Sequence, residues 1–357
     1  MTLILSNDEV EAVLTMPECI AVIEDAYVEL SEGRAVSRRR SDSIVPTSRP
    51  DALYSLKTMD GVAPKLGVAA VRINSDILTW PERGGVRRRV KVPAAPGHRY
   101  VGLVLLFSCE TGEPLAIFPD GVAQRMRVGA ANGLAARHLA REDSATVGLI
   151  GSGWQAGAQL MAITAVRPIE RVRCFSPNRE NREAFCREMT AALGVEVTPM
   201  SAPEAAFRGA DVAMCATSSI ENVFFERWVE PGMHLSSIKR AEIEAGAVGK
   251  AAITVIHSHD TAPLQVTTKG LHVPEEEAGK GGALSPEIDF DSLPTLPDLA
   301  AGKVAGRQAA GDVTCFLNNI GIGYQFAAIG ALIHRNARKA GLGNELPTDW
   351  FTEDVHP

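Results

Sequence analysis

No stretch of the 357 residues stays apolar for the roughly 18 positions that a membrane-crossing helix needs. An excess of basic residues is also missing. Lys and Arg number 36 against 43 Asp and Glu, a formal net charge of −7, which argues against nucleic acid and against an anionic membrane surface as partners. The six cysteines (Cys19, Cys109, Cys174, Cys186, Cys215, Cys315) contain no CxxC pair, and several sit in apolar runs such as DVAMCATSS. That is the usage of reduced, buried thiols and predicts a cytoplasmic protein without a disulfide framework. No secretory leader is predicted, because MTLILSNDEVEAVL has only a short apolar stretch and turns acidic early. Internal repeats and low-complexity tracts are lacking. What is present, 45% apolar and 22% charged residues, is the composition of a globular protein, and the length suggests two domains. The basic clusters Arg38-Arg39-Arg40 and Arg87-Arg88-Arg89 read first as solvated faces or loops.

Residues 6–32 read as two helices, the first with a Ser6/Glu9 capping box and the second with Pro17 at an early position. From 36 to 120 short alternating or apolar runs (ALYSLKTM, LGVAAVRINSD, RYVGLVLLFS, EPLAIF) predict strands, interrupted by an insert at 77–100 rich in Gly, Pro and Arg. A helix of small residues is predicted over 124–142. Strand and helix patterns then alternate for about 170 residues, the signature of a parallel sheet with crossover helices. An irregular segment at 264–312 precedes DVTCFLNNIGIGYQFAAIGALIHRNARKAGLG, a strand-like start followed by a long helix. That last helix needs a packing partner, and the N-terminal strands supply it. The predicted fold is therefore α/β: a Rossmann-type dinucleotide-binding domain at 126–315, and a discontinuous α+β domain at 1–125 and 316–357.

Within TVGLIGSGWQAGAQLMAI, a short apolar strand breaks at Gly151-Ser152-Gly153-Trp154-Gln155-Ala156 and restarts as a helix. Free N–H groups and the positive end of the helix dipole suit a pyrophosphate there. The first glycine permits the tight turn, the second lets phosphate approach the backbone, and the small Ala156 lets helix and strand pack. In NAD sites a carboxylate at the end of the second strand holds the ribose 2′-hydroxyl. Here RVRCF ends in Ser176-Pro177-Asn178-Arg179 and no acid follows. A hydroxyl, an amide and a guanidinium suit a 2′-phosphate, so NADP(H) is favoured over NAD(H). Thr217, in CATSS at the end of the fourth strand, is expected against the cofactor. His257 and His259 in VIHSHD alternate as if on one strand face, but no third metal ligand stands at convincing spacing.

Four segments together resemble the ornithine cyclodeaminase/mu-crystallin family over almost the whole chain: YSLKTM, QRMRVGAANGLAARHLA, VGLIGSGWQAGAQLMA and DVTCFLNNIGIGYQFAA. The resemblance implies a homodimer in which the 1–125 and 316–357 domain is the substrate and dimerisation domain and the Rossmann domain binds NAD(P), with a small substrate bearing an α-carboxylate and an amine or imine carbon. It implies that Arg127 grips the carboxylate, that Arg40 assists, and that Lys57 holds the substrate or moves a proton at the reacting centre. Members include cyclodeaminases, amino acid dehydrogenases, imino acid reductases and mu-crystallin-like proteins. The chain departs from the cyclodeaminases after the fifth strand of the nucleotide domain. There Ala241 stands where those proteins have an Asp, and Lys239-Arg240 replace two glycines, with Glu242 one position on. A cyclase needs a base that aligns and deprotonates a side-chain amine. The expected activity is therefore NADP-dependent reduction or oxidation of a small α-imino or α-amino acid. A deaminating cyclase with tightly bound NAD and a non-catalytic ligand-binding protein are the alternatives.

Overall fold

A computed structural model describes residues 1–83, 86–87, 90–219, 221–239, 241–260, 263–273 and 288–355. Arg88, Arg89, Arg240 and much of the second insert lie outside them.

The first sheet is built from β1 (Thr2–Ile4), β2 (Ser41–Pro46), β3 (Ala52–Ala63), β4 (Val68–Thr79), β5 (Val101–Ser108) and β6 (Pro114–Pro119). Its order is β2-β3-β4-β5-β6-β1, with Asn344–Leu346 added beyond β1 and Leu264–Thr267 beyond β2. The division expected at 126–315 needs amendment at the second of those ends. Leu264–Thr267, inside the expected nucleotide domain, pairs parallel with Ser41–Ile44 of the first sheet. Four residues carry too little alternation to announce a strand, and the open edge of β2 recruits them.

The second sheet is wholly parallel: β7 (Thr146–Ile150), β8 (Arg171–Phe175), β9 (Glu196–Pro199), β10 (Val212–Cys215), β11 (His234–Ser237), β12 (Ile253–Ile256) and β13 (Thr314–Leu317). Its order β9-β8-β7-β10-β11-β13-β12 is that of a doubly wound nucleotide fold whose last two strands are exchanged. β13 straddles the expected 315/316 border and belongs entirely to this sheet.

Six longer helices are α1 (Asn7–Ala12), α2 (Met16–Ser31), α3 (Asp120–Leu139), α4 (Trp154–Val166), α5 (Arg179–Leu193) and α6 (Tyr324–Ala340). The Ser6/Glu9 capping box forms at α1, with Glu9 Nα 3.3 Å from Ser6 Oγ and Ser6 Nα 2.8 Å from Glu9 Oε2. α2 buries Met16, Cys19, Ile20, Ile23 and Tyr27, a stripe at helical spacing. α3 is the bridge between the sheets and is buried along most of its length. A Cβ on its Gly129 would lie 2.7 Å from Ala158 O, and one on Gly133 would lie 3.1 Å from Ala162 Cβ, so α3 and α4 meet backbone to backbone. α6 returns to the first sheet and buries Phe326, Ile329, Leu332 and Ile333 in one core with α2, α3 and the inner sheet face.

β3, β4 and β5 alternate between fully buried and half-buried positions. The inner face meets the helices. The outer face carries Leu56, Val71, Ile73, Val101, Leu103 and Val266, half-buried or exposed.

Among the described residues no helix is long and apolar enough to cross a membrane.

Candidate functional site

Three strands place polar side chains on the buried face of the first sheet. Register sets Asp42 opposite Lys57 and Lys57 opposite Asn74, with Ser55 opposite Asp76 and Met59 opposite Arg72 in the flanking rows. Asp42, Ser55, Lys57, Arg72, Asn74 and Asp76 are all buried. Charges taken out of water must be compensated, and here they are compensated mainly by one another. Arg40 grips Asp42 with two bonds, Nε–Oδ1 2.8 Å and Nη2–Oδ2 2.6 Å. Arg72 directs Nε at 2.7 Å and Nη2 at 2.6 Å to Asp120 Oδ2, which also accepts from Asn74 Nδ2 at 3.0 Å. Lys57 Nζ lies 3.9 Å from Asp76 Oδ2, and Lys91 Nζ lies 2.9 Å from Asp76 Oδ1.

Arg127 is the exception. It projects from α3, is 5% exposed, and donates from Nη1 to Gln325 Oε1 at 2.9 Å, while Gln325 Nε2 returns a 3.1 Å bond to the Arg127 carbonyl. Its Nε has no hydrogen-bond partner among the described residues. Among the described residues no carboxylate is hydrogen-bonded to it. Burial, followed by the like charge of Arg72, pulls its pKa down to about 10, so it still carries its charge at neutral pH. Arg72 and Arg127 lie 5.5 and 5.3 Å from the Phe326 ring centroid, so both guanidiniums share one aromatic neighbour.

The sequence reading had singled out Arg40, Lys57 and Arg127. The structure brings Arg40 within electrostatic reach of Arg127 and sets Lys57 opposite Asp42, the carboxylate that Arg40 holds. Arg38–Arg40 precede β2 and are not in a strand, so strand alternation does not assign their faces. Arg38 is paired with Asp60 at 3.0 Å instead. Arg72, Asp76 and Asp120 were missed. Arg72 and Asp76 occupy the inward positions of an alternating strand, and charge at positions that alternation assigns to the core was the available signal.

At the second sheet, Gly151 follows β7 with φ +120°, and a Cβ on it would sit 2.1 Å from Ala216 O. Only glycine fits there. Gly153 has open space where its Cβ would be, and α4 begins at Trp154 with no side chain capping its N–H groups. Ala156 is fully buried, as close packing of helix on strand requires, and Ser152 is half-buried. Gln155 Oε1 is buried without a partner among the described residues, and Trp154 is exposed with the Arg125 guanidinium 4.0 Å from its ring centroid.

At the end of β8, Ser176 is buried and Asn178 caps α5 by accepting from Asn181 N–H at 2.8 Å. Arg179 opens α5, largely exposed and paired with Glu183 at 2.7 Å. Arg182, unnoticed in the sequence, donates to the Ser176 carbonyl and covers Phe175.

Thr217 N–H and Oγ1–H donate to Glu242 Oε1 at 2.6 and 2.7 Å, and the Ile238 and Lys239 N–H groups donate to Oε2 at 2.9 and 3.1 Å. Glu242 is wholly buried; burial pushes its carboxyl up and the four bonds oppose that rise. It ties together the loops after β10 and β11. The Thr217 hydroxyl faces this carboxylate.

The two histidines part company. β12 ends at Ile256, so the alternation expected through VIHSHD does not hold. His257 is buried with Nε2 2.5 Å from Tyr27 Oη, whereas His259 Nε2 is 2.9 Å from the Leu293 carbonyl. His257 and the likewise buried His234 have pKa values lowered from 6.5 to about 3, chiefly by burial. An unfolded chain binds protons at both histidines as pH falls below 6.5, and the folded one does not until about 3. The stability they confer is complete above that window and lost through it on acidification. Between pH 7 and pH 5 the loss is about 2 kcal/mol for each histidine. Urea unfolding at the two pH values measures it, and His234→Gln should remove about half of the difference.

A model of the ornithine cyclodeaminase/mu-crystallin family matches residues 89–341. A Delta(1)-pyrroline-2-carboxylate reductase from Bacillus cereus is 26% identical over 350 residues, 96% of this chain and 99% of the relative. The alanine dehydrogenase of Archaeoglobus fulgidus is 26% identical over 362 residues, covering 97% and 98% of the two chains. Among solved structures, the Thermococcus litoralis Delta(1)-pyrroline-2-carboxylate reductase in complex with NADH and L-proline superposes with a TM-score of 0.78. It is 27% identical and covers 97% of this chain and 100% of that one. These relatives are an imino acid reductase and an amino acid dehydrogenase, matched nearly end to end. The chain belongs to the ornithine cyclodeaminase/mu-crystallin family.

Proposed function

We propose that the protein is an NAD(P)-dependent oxidoreductase that interconverts a small α-imino acid and the corresponding α-amino acid, with NADP(H) favoured over NAD(H). The observation that carries this reading is Arg127, a buried guanidinium to which no carboxylate among the described residues is hydrogen-bonded. A carboxylate-bearing ligand completes it with the paired donors that a guanidinium fork offers. Arg72 and Arg40, already neutralised by Asp120 and Asp42, supply further positive potential around that anion. Lys57, an ammonium on the same sheet face, holds or moves the proton at the substrate nitrogen.

The cradle at Gly151, Ser152, Gly153, Trp154, Gln155 and Ala156 fits a pyrophosphate: the turn admits no Cβ at its first glycine, and the N–H groups opening α4 lack a side-chain cap. Ser176, Asn178 and Arg179, with Arg182 beside them, would receive a 2′-phosphate, and the Thr217 loop would flank the nicotinamide end. The bound nucleotide would supply or accept the hydride. Orientation by the cationic side chains then accounts for much of the rate, because a carboxylate held at a fixed point presents its α-carbon in one direction.

The deaminating cyclase reading lacks its base: Ala241 carries none, and Glu242 spends its four bonds on Thr217, Ile238 and Lys239. In this proposal the substrate side of the site comes from 1–125 and the C-terminal return together with Arg127 of α3, and the nucleotide side from the rest of 126–315. The outer face of the first sheet, with Val101 and Leu103 at 42% and 38% exposure, would pair two copies into a homodimer. The acidic surface and free thiols fit a cytoplasmic enzyme without nucleic-acid or membrane partners.

The test is turnover of Δ1-pyrroline-2-carboxylate and of pyruvate plus ammonia with NADPH or NADH, followed by nicotinamide absorbance. Greater thermal stabilisation by NADPH than by NADH is expected. Ammonia release from ornithine without net change in the nucleotide would overturn the reading.

A further inference from the structure

Lys57 is not the end of its chain of charges. Asp76 lies between two ammonium groups, with Oδ2 3.9 Å from Lys57 Nζ and Oδ1 2.9 Å from Lys91 Nζ. The three differ steeply in access to water. The Lys57 and Asp76 side chains are 6% and 1% exposed, whereas Lys91 is 36% exposed. Asp76 Oδ2 has no hydrogen-bond partner among the described residues, and neither does Ser55 Oγ, which register sets opposite it. Lys91 belongs to Val90–Val92, a short strand in the first insert that pairs with Ile77–Thr79. The insert therefore delivers a solvent-reaching ammonium to a carboxylate that is otherwise sealed beside Lys57.

We propose that Lys91 and Asp76 form the path by which Lys57 regains its proton after each turnover. This rests on the proposed reductase reading, in which Lys57 protonates the substrate nitrogen. In the reductive direction an N–H bond forms on the substrate and Lys57 is left as a neutral amine. The Lys91 ammonium passes a proton to the Asp76 carboxylate. The carboxyl turns about its Cβ–Cγ bond and hands the proton to the Lys57 nitrogen, and Lys91 is recharged from water. Oxidation of an amino acid runs the same path outward. No electrons move along it.

The other charged groups of this sheet face and of the helix packed on it are already committed: Asp42 to Arg40, Asp120 to Arg72, and Arg127 to Gln325. None of those arginines exchanges a proton at working pH, because guanidinium is a permanent cation there. Among the described residues Asp76 with Lys91 is thus an exchangeable pair beside Lys57.

Lys91→Met and Lys91→Arg separate proton return from simple charge. Wild-type turnover of Δ1-pyrroline-2-carboxylate with NADPH, measured first, tests the reductase reading by itself. For the relay, both variants should lower kcat about ten-fold above neutral pH with KM little changed. Both should show a larger solvent deuterium isotope effect, and added imidazole should raise the kcat of Lys91→Met toward wild type without affecting wild type. Asp76→Asn should reproduce the loss. Wild-type kcat in Lys91→Arg would overturn the relay, since arginine keeps the charge and cannot pass the proton. Unchanged kcat and isotope effects in both Lys91 variants would overturn it equally, and Lys91→Arg, which keeps a cation beside the buried Asp76, keeps the test valid should Lys91→Met lose stability.

Discussion

Gly151→Ala should abolish binding of both nicotinamide nucleotides and weaken the fold at the same time. The substitution meets two obstacles that add. The backbone at this position has φ +120°, where an L side chain is strained, and the new Cβ would lie 2.1 Å from the Ala216 carbonyl. Ala216 follows β10, the neighbour of β7, so relief requires those two strand ends to separate. They are the strands on either side of the switch point where the sheet order reverses, the place where a ligand crevice opens. The expected cost is about 3 kcal/mol in denaturant unfolding. Nucleotide affinity should fall by about a hundred-fold or more. Gly153→Ala provides the contrast. It has nothing within 4 Å of the added Cβ, so its unfolding midpoint should stay close to wild type. Equal destabilisation by the two substitutions would contradict this account.

Arg127→Met is the second large effect, and its signature is a split between catalysis and stability. Removing one partner of a buried, hydrogen-bonded charge pair costs about 2–5 kcal/mol, which corresponds to about thirty- to five-thousand-fold in kcat/KM. Nucleotide affinity should change little, because Arg127 is on α3 and the cradle opens α4. The free protein should not suffer. In it Arg127 is a desolvated cation with an unbonded Nε and a pKa already lowered to about 10. Arg127→Met removes the cost of that desolvated charge and one hydrogen bond, while Gln325 Oε1 still accepts from the Ile322 N–H at 3.4 Å, so the two changes offset. A thermal midpoint equal to or above wild type, together with the kinetic loss, is therefore expected. A large fall in stability with unchanged kcat/KM would show that Arg127 serves the fold and not the substrate.

Much of this architecture was legible in the residues. The alternation of YSLKTM and AAVRINSD, the Ser6/Glu9 box and the glycine turn after TVGLI are local signals, and each corresponds to the element expected from it. The parallel sheet followed from strand–helix alternation over a long span, where errors at single positions average out. Other features carried no such signal. Leu264–Thr267 is a strand because the edge of β2 is open to it, and VIHSHD leaves its strand at Ile256 because the chain turns toward Tyr27. By position alone Glu242 could stand in for the Asp missing at Ala241 only if the loop shifted, and its four bonds to two loops hold it in place.

The candidate site divides along the same line. Short-range pattern was enough to nominate the glycine turn as the nucleotide cradle, because six consecutive residues make that turn and their sterics are set by their immediate neighbours. Arg127 and Lys57 were nominated by the resemblance of QRMRVGAANGLAARHLA and YSLKTM to the family. The electrostatic state of those two side chains depended instead on residues far away in the chain: Gln325 at one, Asp76 and Lys91 at the other, with Arg72 and Asp120 between. Charge interactions act through space and are governed by burial, so pairing across a sheet and a returning helix had to form before any of them had a defined partner.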